Sequence, residues 1–201
     1  MPTEGGRVLF DRGYLESGLL CGIDEAGRGC LAGPVLAAAV VFEAERLPDI
    51  PINDSKRLTP RQREGFFELI AEAAVCWAVG AVGWKRIDEL NIRNASRIAM
   101  ERAYMNLRVK PQIVLVDGNM PLDIPARVET IVKGDTKSFV IAAASIMAKV
   151  TRDRIMLNYH RLFPEYGFDR HKGYPTKQHR EAIKRHGPTR IHRLSFRLLR
   201  D

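Results

Sequence analysis

Cysteine is scarce in this chain and poorly placed for cross-linking. Cys21, Cys30 and Cys76 are odd in number and none belongs to a Cys-x-x-Cys pair, so neither a disulfide framework nor a zinc ribbon is indicated, and the three read as buried thiols in a reducing compartment. Long hydrophobic runs are also missing. The longest apolar block, Leu31 to Phe42, is interrupted by Gly33 and Pro34 and is too short to span a bilayer. Residues 1–18 lack the basic start, apolar run and small-residue site of a secretory signal. A soluble, cytoplasmic protein with no membrane association is expected. No Walker-type phosphate loop and no Ser/His/Asp or Cys/His nucleophile pattern appears, nor any repeat, low-complexity tract or long linker. The five histidines, His160, His171, His179, His186 and His192, come without a cysteine partner or an i, i+4 histidine pair, which argues against zinc.

Charge, in contrast, is abundant and unevenly placed. Residues 149–201 hold 14 Lys and Arg against five Asp and Glu, a net +9 that exceeds the +8 of the whole chain. Such asymmetry points to a polyanion partner, because neutralising phosphates releases counterions and gives sequence-independent affinity. The alternative is a solvated basic face with no partner. At 201 residues the chain fits one domain with a full core.

Residues 8–20 read as a lead-in, and Cys21–Ala26 and Val35–Phe42 as two strands joined as a hairpin around Gly27–Pro34. Thr59-Pro60-Arg61-Gln62 supplies an N-cap, a proline at the first helical position and a capping-box glutamine, predicting a helix from Pro60 to about Ala74 with Phe66, Ile70 and Ala73 on its buried face. Val75–Val82 reads as a third strand and Trp84–Leu90 as a helical turn. Ile92, Ala95, Ala99, Ala103 and Leu107 mark an amphipathic helix ending before Pro111. Gln112–Gly118 is a continuous apolar run bounded by a turn signal, hence a buried central strand delivering Asp117 at its C-terminal end, and Val128–Val132 a fifth short one. From Ser138 to about Leu162 a long helix is predicted, then a loop over Pro164–Tyr174 and a last helix over Thr176–His186. A meander followed by alternating strands and helices gives an α/β domain, one mixed sheet covered by helices with its site at strand ends.

Four acids fall at strand ends or in the turns after them: Asp24, Glu25, Asp117 and Asp135. If their strands lie side by side, the carboxylates converge, and converging carboxylates repel unless protonated or bridged by cations. Mg²⁺ suits an all-oxygen shell completed by water and phosphate, and two such ions about 4 Å apart can activate a water and stabilise a leaving oxygen at phosphorus. The plainer alternative is that these acids cap turns or pair with Lys133, Lys137 or Arg28. Successive strand residues point to opposite faces, so Asp24 and Glu25 cannot both reach one ion from an ideal strand. Gly27-Arg28-Gly29 beside the acids lets backbone approach a ligand closely and brings a cation suited to phosphate. Asp54-Ser55-Lys56 either caps the Pro60 helix region or brings Lys56 to a phosphate. His171-Lys172-Gly173-Tyr174-Pro175 sets an aromatic ring among basic residues, suited to stacking while Lys172 neutralises phosphate, or else a buried loop tyrosine.

Taken together, Gly22-Ile23-Asp24-Glu25-Ala26-Gly27-Arg28-Gly29, Asn53-Asp54-Ser55-Lys56, Asp88-Glu89-Leu90-Asn91-Ile92, Val116-Asp117-Gly118-Asn119, Lys133-Gly134-Asp135, Ala143-Ala144-Ser145-Ile146-Met147-Ala148-Lys149-Val150-Thr151-Arg152-Asp153 and His171-Lys172-Gly173-Tyr174-Pro175 resemble bacterial ribonuclease HII, in order, from about residue 20 to 196. The resemblance implies a ribonuclease H-like fold, with a mixed five-stranded sheet flanked by helices and a helical C-terminal extension. It implies a single domain over 1–201, with a lead-in over 1–18, a catalytic core over 19–163 and a basic helical part over 164–201. The implied activity is endonucleolytic hydrolysis of the RNA strand of RNA–DNA hybrids, including cutting 5′ of ribonucleotides embedded in duplex DNA. Products would carry 5′-phosphate and 3′-hydroxyl ends, and the cofactor would be Mg²⁺ or Mn²⁺, two ions with substrate bound. On matching positions Asp24, Glu25, Asp117 and Asp135 become metal-site acids, Gly27, Arg28 and Gly29 readers of the ribose 2′-hydroxyl, and Tyr174 a stacker on the deoxyribose just 3′ of the ribonucleotide. Lys56 and Lys172 are further substrate-binding candidates, and a monomer is expected. Arg28 and the short stretch before the first strand favour type HII over the related type HIII. Cys30, where many members have proline, implies sensitivity of the site to thiol oxidation. Readings of other classes are a basic hybrid-binding protein without catalysis and a nuclease acting on branched DNA.

Overall fold

A computed structural model describes residues 4–14, 18–48, 50–52 and 58–199. Five strands form one sheet: β1 (Leu19–Ala26), β2 (Val35–Glu43), β3 (Cys76–Val82), β4 (Ile113–Asp117) and β5 (Arg127–Ile131), in the order β3-β2-β1-β4-β5. The first three make an antiparallel meander, whereas β4 runs parallel to β1 and β5 parallel to β4. The sheet is therefore mixed, as expected, with β1 at its centre and β4 one place further out. Strand β2 is buried along nearly its whole length, which is why it reads as an unbroken apolar run rather than an alternating one.

Helices cover both faces. On one side α6 (Phe139–Leu162) and α2 (Pro60–Ala73) enclose a core containing Leu20, Leu36, Val40, Leu115 and Ile146. On the other, α4 (Ile92–Met105), preceded by α3 (Trp84–Leu90), packs Ala95, Ala99 and Ala103 over Ile23, Val35 and Val116. Small residues bring α6 close to the sheet: a Cβ added at Gly22 of β1 would lie 2.0 Å from the Val140 carbonyl oxygen. The helix from Pro60 starts as predicted, with Thr59 accepting from the Gln62 amide and Gln62 accepting from that of Thr59.

Several expectations need correction. The lead-in contains a helix, α1 (Glu4–Arg12), whose Asp11 carboxylate accepts the Val140 amide at 2.9 Å and so satisfies an orphan donor at the start of α6. Helix α2 buries Phe67 and Ile70, while Phe66 is only half-buried and Ala73 is exposed; two adjacent phenylalanines leave the periodicity unable to choose between them. The loop after α6 holds a 3₁₀ turn over Pro164–Tyr166 and a short helix α7 (Phe168–His171), before α8 (Lys177–His186). These pack with Leu31, Met156, Ile183 and Ile191 into a third, smaller core. No described helix is long and apolar enough to cross a membrane.

Candidate active site

Strand register builds the site. In the parallel β1–β4 pair Leu20 faces Ile113 and Ile23 faces Val116, so one residue further along brings Asp24 beside Asp117. Both have the parity of Leu20 and Leu115, and so point to the α6 side. Glu25 has the parity of Ile23 and points to the other side, but β1 ends one residue later at Ala26. The two neighbours start on opposite faces, as expected, yet both line the cleft where β1 ends. Asp24, Glu25, Asp117 and Asp135 all line one cleft of about 500 Å³, together with Gly27, Arg28, Gly29, Ser145, Lys149, Arg63 and Tyr174.

The acids are held by short polar contacts. Asp24 accepts the Glu25 amide at 2.7 Å and a hydrogen bond from Ser145 of α6. Asp117 accepts the Gly134 amide at 2.7 Å, which ties the end of β4 to the short helix α5 (Gly134–Lys137) carrying Asp135. Burial first, then the charges of Glu25 and Asp117, hold the Asp24 carboxyl well above its ordinary range. Burial raises Glu25 as well, with Asp117 adding to the effect and Arg28, 3.3 Å away, opposing it. The alternative of an Arg28 ion pair is therefore partly realised. A cluster of carboxylate oxygens, with two of the carboxyls raised by burial and like charge, is a donor set suited to a hard divalent cation. Among the described residues no group of three or more acidic, histidine or cysteine side chains is gathered in ligating geometry.

The Gly27–Gly29 turn needs its glycine: Gly27 sits at φ +93, and a Cβ there would lie 2.0 Å from Nε of the buried Arg152. Tyr174 is 39% exposed at the cleft wall, with the Lys149 ammonium 5.5 Å and the Arg152 guanidinium 6.0 Å from its ring centre. It is not the buried loop tyrosine of the alternative. Lys172 does not line the cleft: its ammonium donates to the Asp169 carbonyl, and its carbonyl receives Arg152 at 2.9 Å. Lys56, with Asp54 and Ser55, lies outside the described residues. Cys30 is fully buried, and burial pushes its thiol up, which opposes the expected sensitivity to oxidation. Cys21 and Cys76 are buried and free as well.

Sequence reasoning missed Ser145, Lys149 and Arg63 as cleft residues. Ser145 and Lys149 lie four apart on α6, one helical turn, and that spacing within the quoted motif was the available signal.

The fold has close counterparts. The crystal structure of ribonuclease H2 from Pyrococcus horikoshii OT3 superposes with a TM-score of 0.76 at 32% identity, covering 90% of this chain and 94% of that one. Ribonuclease HII of Archaeoglobus fulgidus, solved in a complex with PCNA, gives 0.76 at 29% identity, covering 91% and 97%. This is the ribonuclease H-like class, with its mixed five-stranded sheet and helical C-terminal extension. The family model described as Ribonuclease HII matches residues 21–199. Ribonuclease HII of Dechloromonas aromatica (strain RCB) is 53% identical over 181 residues, covering 89% of this chain and 91% of its own length. The chain belongs to the ribonuclease HII family.

Proposed function

We propose that the protein is a metal-dependent endoribonuclease that hydrolyses the RNA strand of RNA–DNA hybrids and cuts 5′ of ribonucleotides embedded in duplex DNA. The observation that carries this reading is the sharing of one cleft by three kinds of group: four carboxylates, the Gly27–Gly29 turn and the Tyr174 ring. Asp24, Glu25, Asp117 and Asp135 would hold Mg²⁺ or Mn²⁺, which when bound supplies a deprotonated water and neutralises charge on the leaving oxygen. The product ends are then 5′-phosphate and 3′-hydroxyl, with no covalent enzyme intermediate.

The remaining roles fall to the chain's own groups. Ser145 holds Asp24 in place. Backbone amides of the Gly27–Gly29 turn meet the ribose 2′-hydroxyl, the group that separates RNA from DNA. Lys149, Arg63 and Arg28 line the cleft where phosphates would pass, and the exposed Tyr174 ring stacks on the deoxyribose 3′ of the ribonucleotide. The substrate partners are therefore RNA–DNA hybrids and ribonucleotide-containing duplexes, met by a monomer in the cytoplasm.

The test is a DNA duplex with one ribonucleotide, incubated with and without Mg²⁺, and the cut mapped. A single Mg²⁺-dependent cut on the 5′ side is expected, and Asp117→Asn should bind the duplex yet leave it whole. Chelation-resistant binding without cleavage would instead indicate a hybrid-binding protein. Cutting of all-DNA junctions would indicate a branched-DNA nuclease.

A further inference from the structure

Two arginines from the basic C-terminal quarter are not on the surface. Arg152 of α6 and Arg193, beyond α8, are both 0% exposed. The hydrogen bonds of their guanidiniums go to backbone carbonyls, and nearly all of these belong to residues 27–34. Arg193 donates to the carbonyl oxygens of Gly27 at 2.8 Å, Arg28 at 2.9 Å and Gly33 at 2.9 and 3.0 Å. Arg152 donates to those of Pro34 at 3.0 Å and Ala32 at 3.1 Å, and to Lys172 at 2.9 Å.

A planar trans peptide has its carbonyl and the next amide on opposite sides. Drawing the Gly27 and Arg28 carbonyls inward onto Arg193 therefore turns the Arg28 and Gly29 amides outward, on the side where this turn lines the cleft. A cation on the oxygen end of a peptide unit also polarises it, which strengthens the amide as a donor. Arg152 adds a second constraint: it bonds both the chain leading into β2 and the Lys172 carbonyl, with the Tyr174 ring 6.0 Å away. One side chain thus spans the turn segment and the tyrosine loop. The burial cost of both cations is met by carbonyl dipoles converging in fork geometry, which a lysine cannot reproduce.

We propose that Arg152 and Arg193 are positioning residues for ribose discrimination: an internal brace that aims the Arg28 and Gly29 amides into the cleft and fixes the turn's distance to Tyr174. The inference rests on the reading of the turn and Tyr174 given under Proposed function. Arg193 carries the aiming and Arg152 the spacing.

The experiment compares Asp117→Asn with Asp117→Asn/Arg193→Lys, measuring Kd for a duplex containing one ribonucleotide and for the same duplex in all-DNA form. The brace predicts that Arg193→Lys lowers the preference for the ribonucleotide duplex about tenfold, the equivalent of one lost hydrogen bond, while all-DNA affinity stays within about twofold. An unchanged preference, or an equal loss on both duplexes, overturns it. A parent with no preference at all would count against the functional reading, and a lysine variant with no cooperative melt would leave the Kd comparison without a subject. In either event amide exchange on the wild-type protein decides. Exchange at Cys30, Leu31 and Gly33 as slow as in β1 supports the brace, and loop-like exchange there overturns it.

Discussion

Asp24 carries the sharpest conflict at the scale of single residues. It is 6% exposed, beside the like charges of Glu25 and Asp117, so the metal-free fold tolerates a buried carboxyl that its own neighbours disfavour. Asparagine keeps the shape and accepts the same Glu25 amide without charge. Asp24→Asn should therefore raise the melting temperature in chelator, by about 1 kcal/mol or 2–4 °C for a chain of this size, while abolishing cleavage; calorimetry beside a cleavage assay checks both. Tyr174 offers the opposite case, an exposed ring whose loss leaves the core intact. Tyr174→Ala should slow cleavage at a single embedded ribonucleotide by about ten- to a hundredfold, the range for a lost stacking platform, and slow cleavage of a continuous hybrid less. Equal losses on the two substrates would contradict the junction-reading role. That the four acids and Tyr174 would come together in one cleft was legible because each stands beside glycine or at a strand end, where charge or an aromatic ring draws notice in the sequence. Arg193 was not legible, since an arginine in a basic run reads as solvated, and only the folded chain brings it beneath a turn 165 residues away.

At the scale of elements, the site depends on how closely α6 approaches β1. Asp24 stands on the strand and Ser145 on the helix, and Gly22 is the point where the two backbones meet. Gly22→Ala places a methyl group 2.0 Å from the Val140 carbonyl, which is backbone and cannot rotate away. The helix must move or the strand must bend, at a cost of about 3 kcal/mol. Denaturant titration should show that loss, and activity should fall with it, because Ser145 and Lys149 shift as one with α6. Elements whose signals are local were read closely: the capping box fixed the start of α2 at Pro60, and the run Gln112–Gly118 contains β4, Ile113–Asp117, with one residue over at each end. Helix α1 escaped because it is short and its role lies 129 residues away, where Asp11 caps α6. Sheet order was no more local; apolar runs announce buried strands but not which neighbour each takes.

Across the whole molecule, the C-terminal surplus of charge divides into two populations. Lys177, Lys184, Arg185 and Arg190 are exposed and form the basic surface that the composition implies. Arg152 and Arg193 lie inside, and Arg154 is engaged by Glu64 and Glu68 of α2. The same quarter holds a buried histidine relay. The Thr189 amide donates to Nδ1 of His192, the two Nε2 atoms of His192 and His179 lie 3.1 Å apart, and Nδ1 of His179 lies 2.9 Å from the Tyr174 carbonyl oxygen. This pattern closes only when both rings are neutral: His192 donates through Nε2, and His179 accepts there and donates to Tyr174. Burial accordingly pushes both down to about 4. The unfolded chain takes up protons near the ordinary 6.5, so this stability is complete above pH 6.5 and drains away as pH falls toward 4. Asp11 works in the opposite sense, because burial raises it from 3.8 to about 6, and its contribution is present at low pH and lost as pH rises through 6. Each of the two histidines makes the protein less stable at pH 5 than at pH 7.5 by about 2 kcal/mol, whereas the carboxyls raised by burial, Asp11, Asp24 and Glu25, act the other way, so the relay is read from the difference between the wild type and a variant that lacks one ring. Urea titrations of both proteins at the two pH values measure this: on going from pH 7.5 to pH 5, His192→Asn should lose about 2 kcal/mol less stability than the wild type does. Equal losses in the wild type and His192→Asn between those values would contradict the neutral relay, and with it the account of how the C-terminal quarter holds the Tyr174 backbone at the cleft.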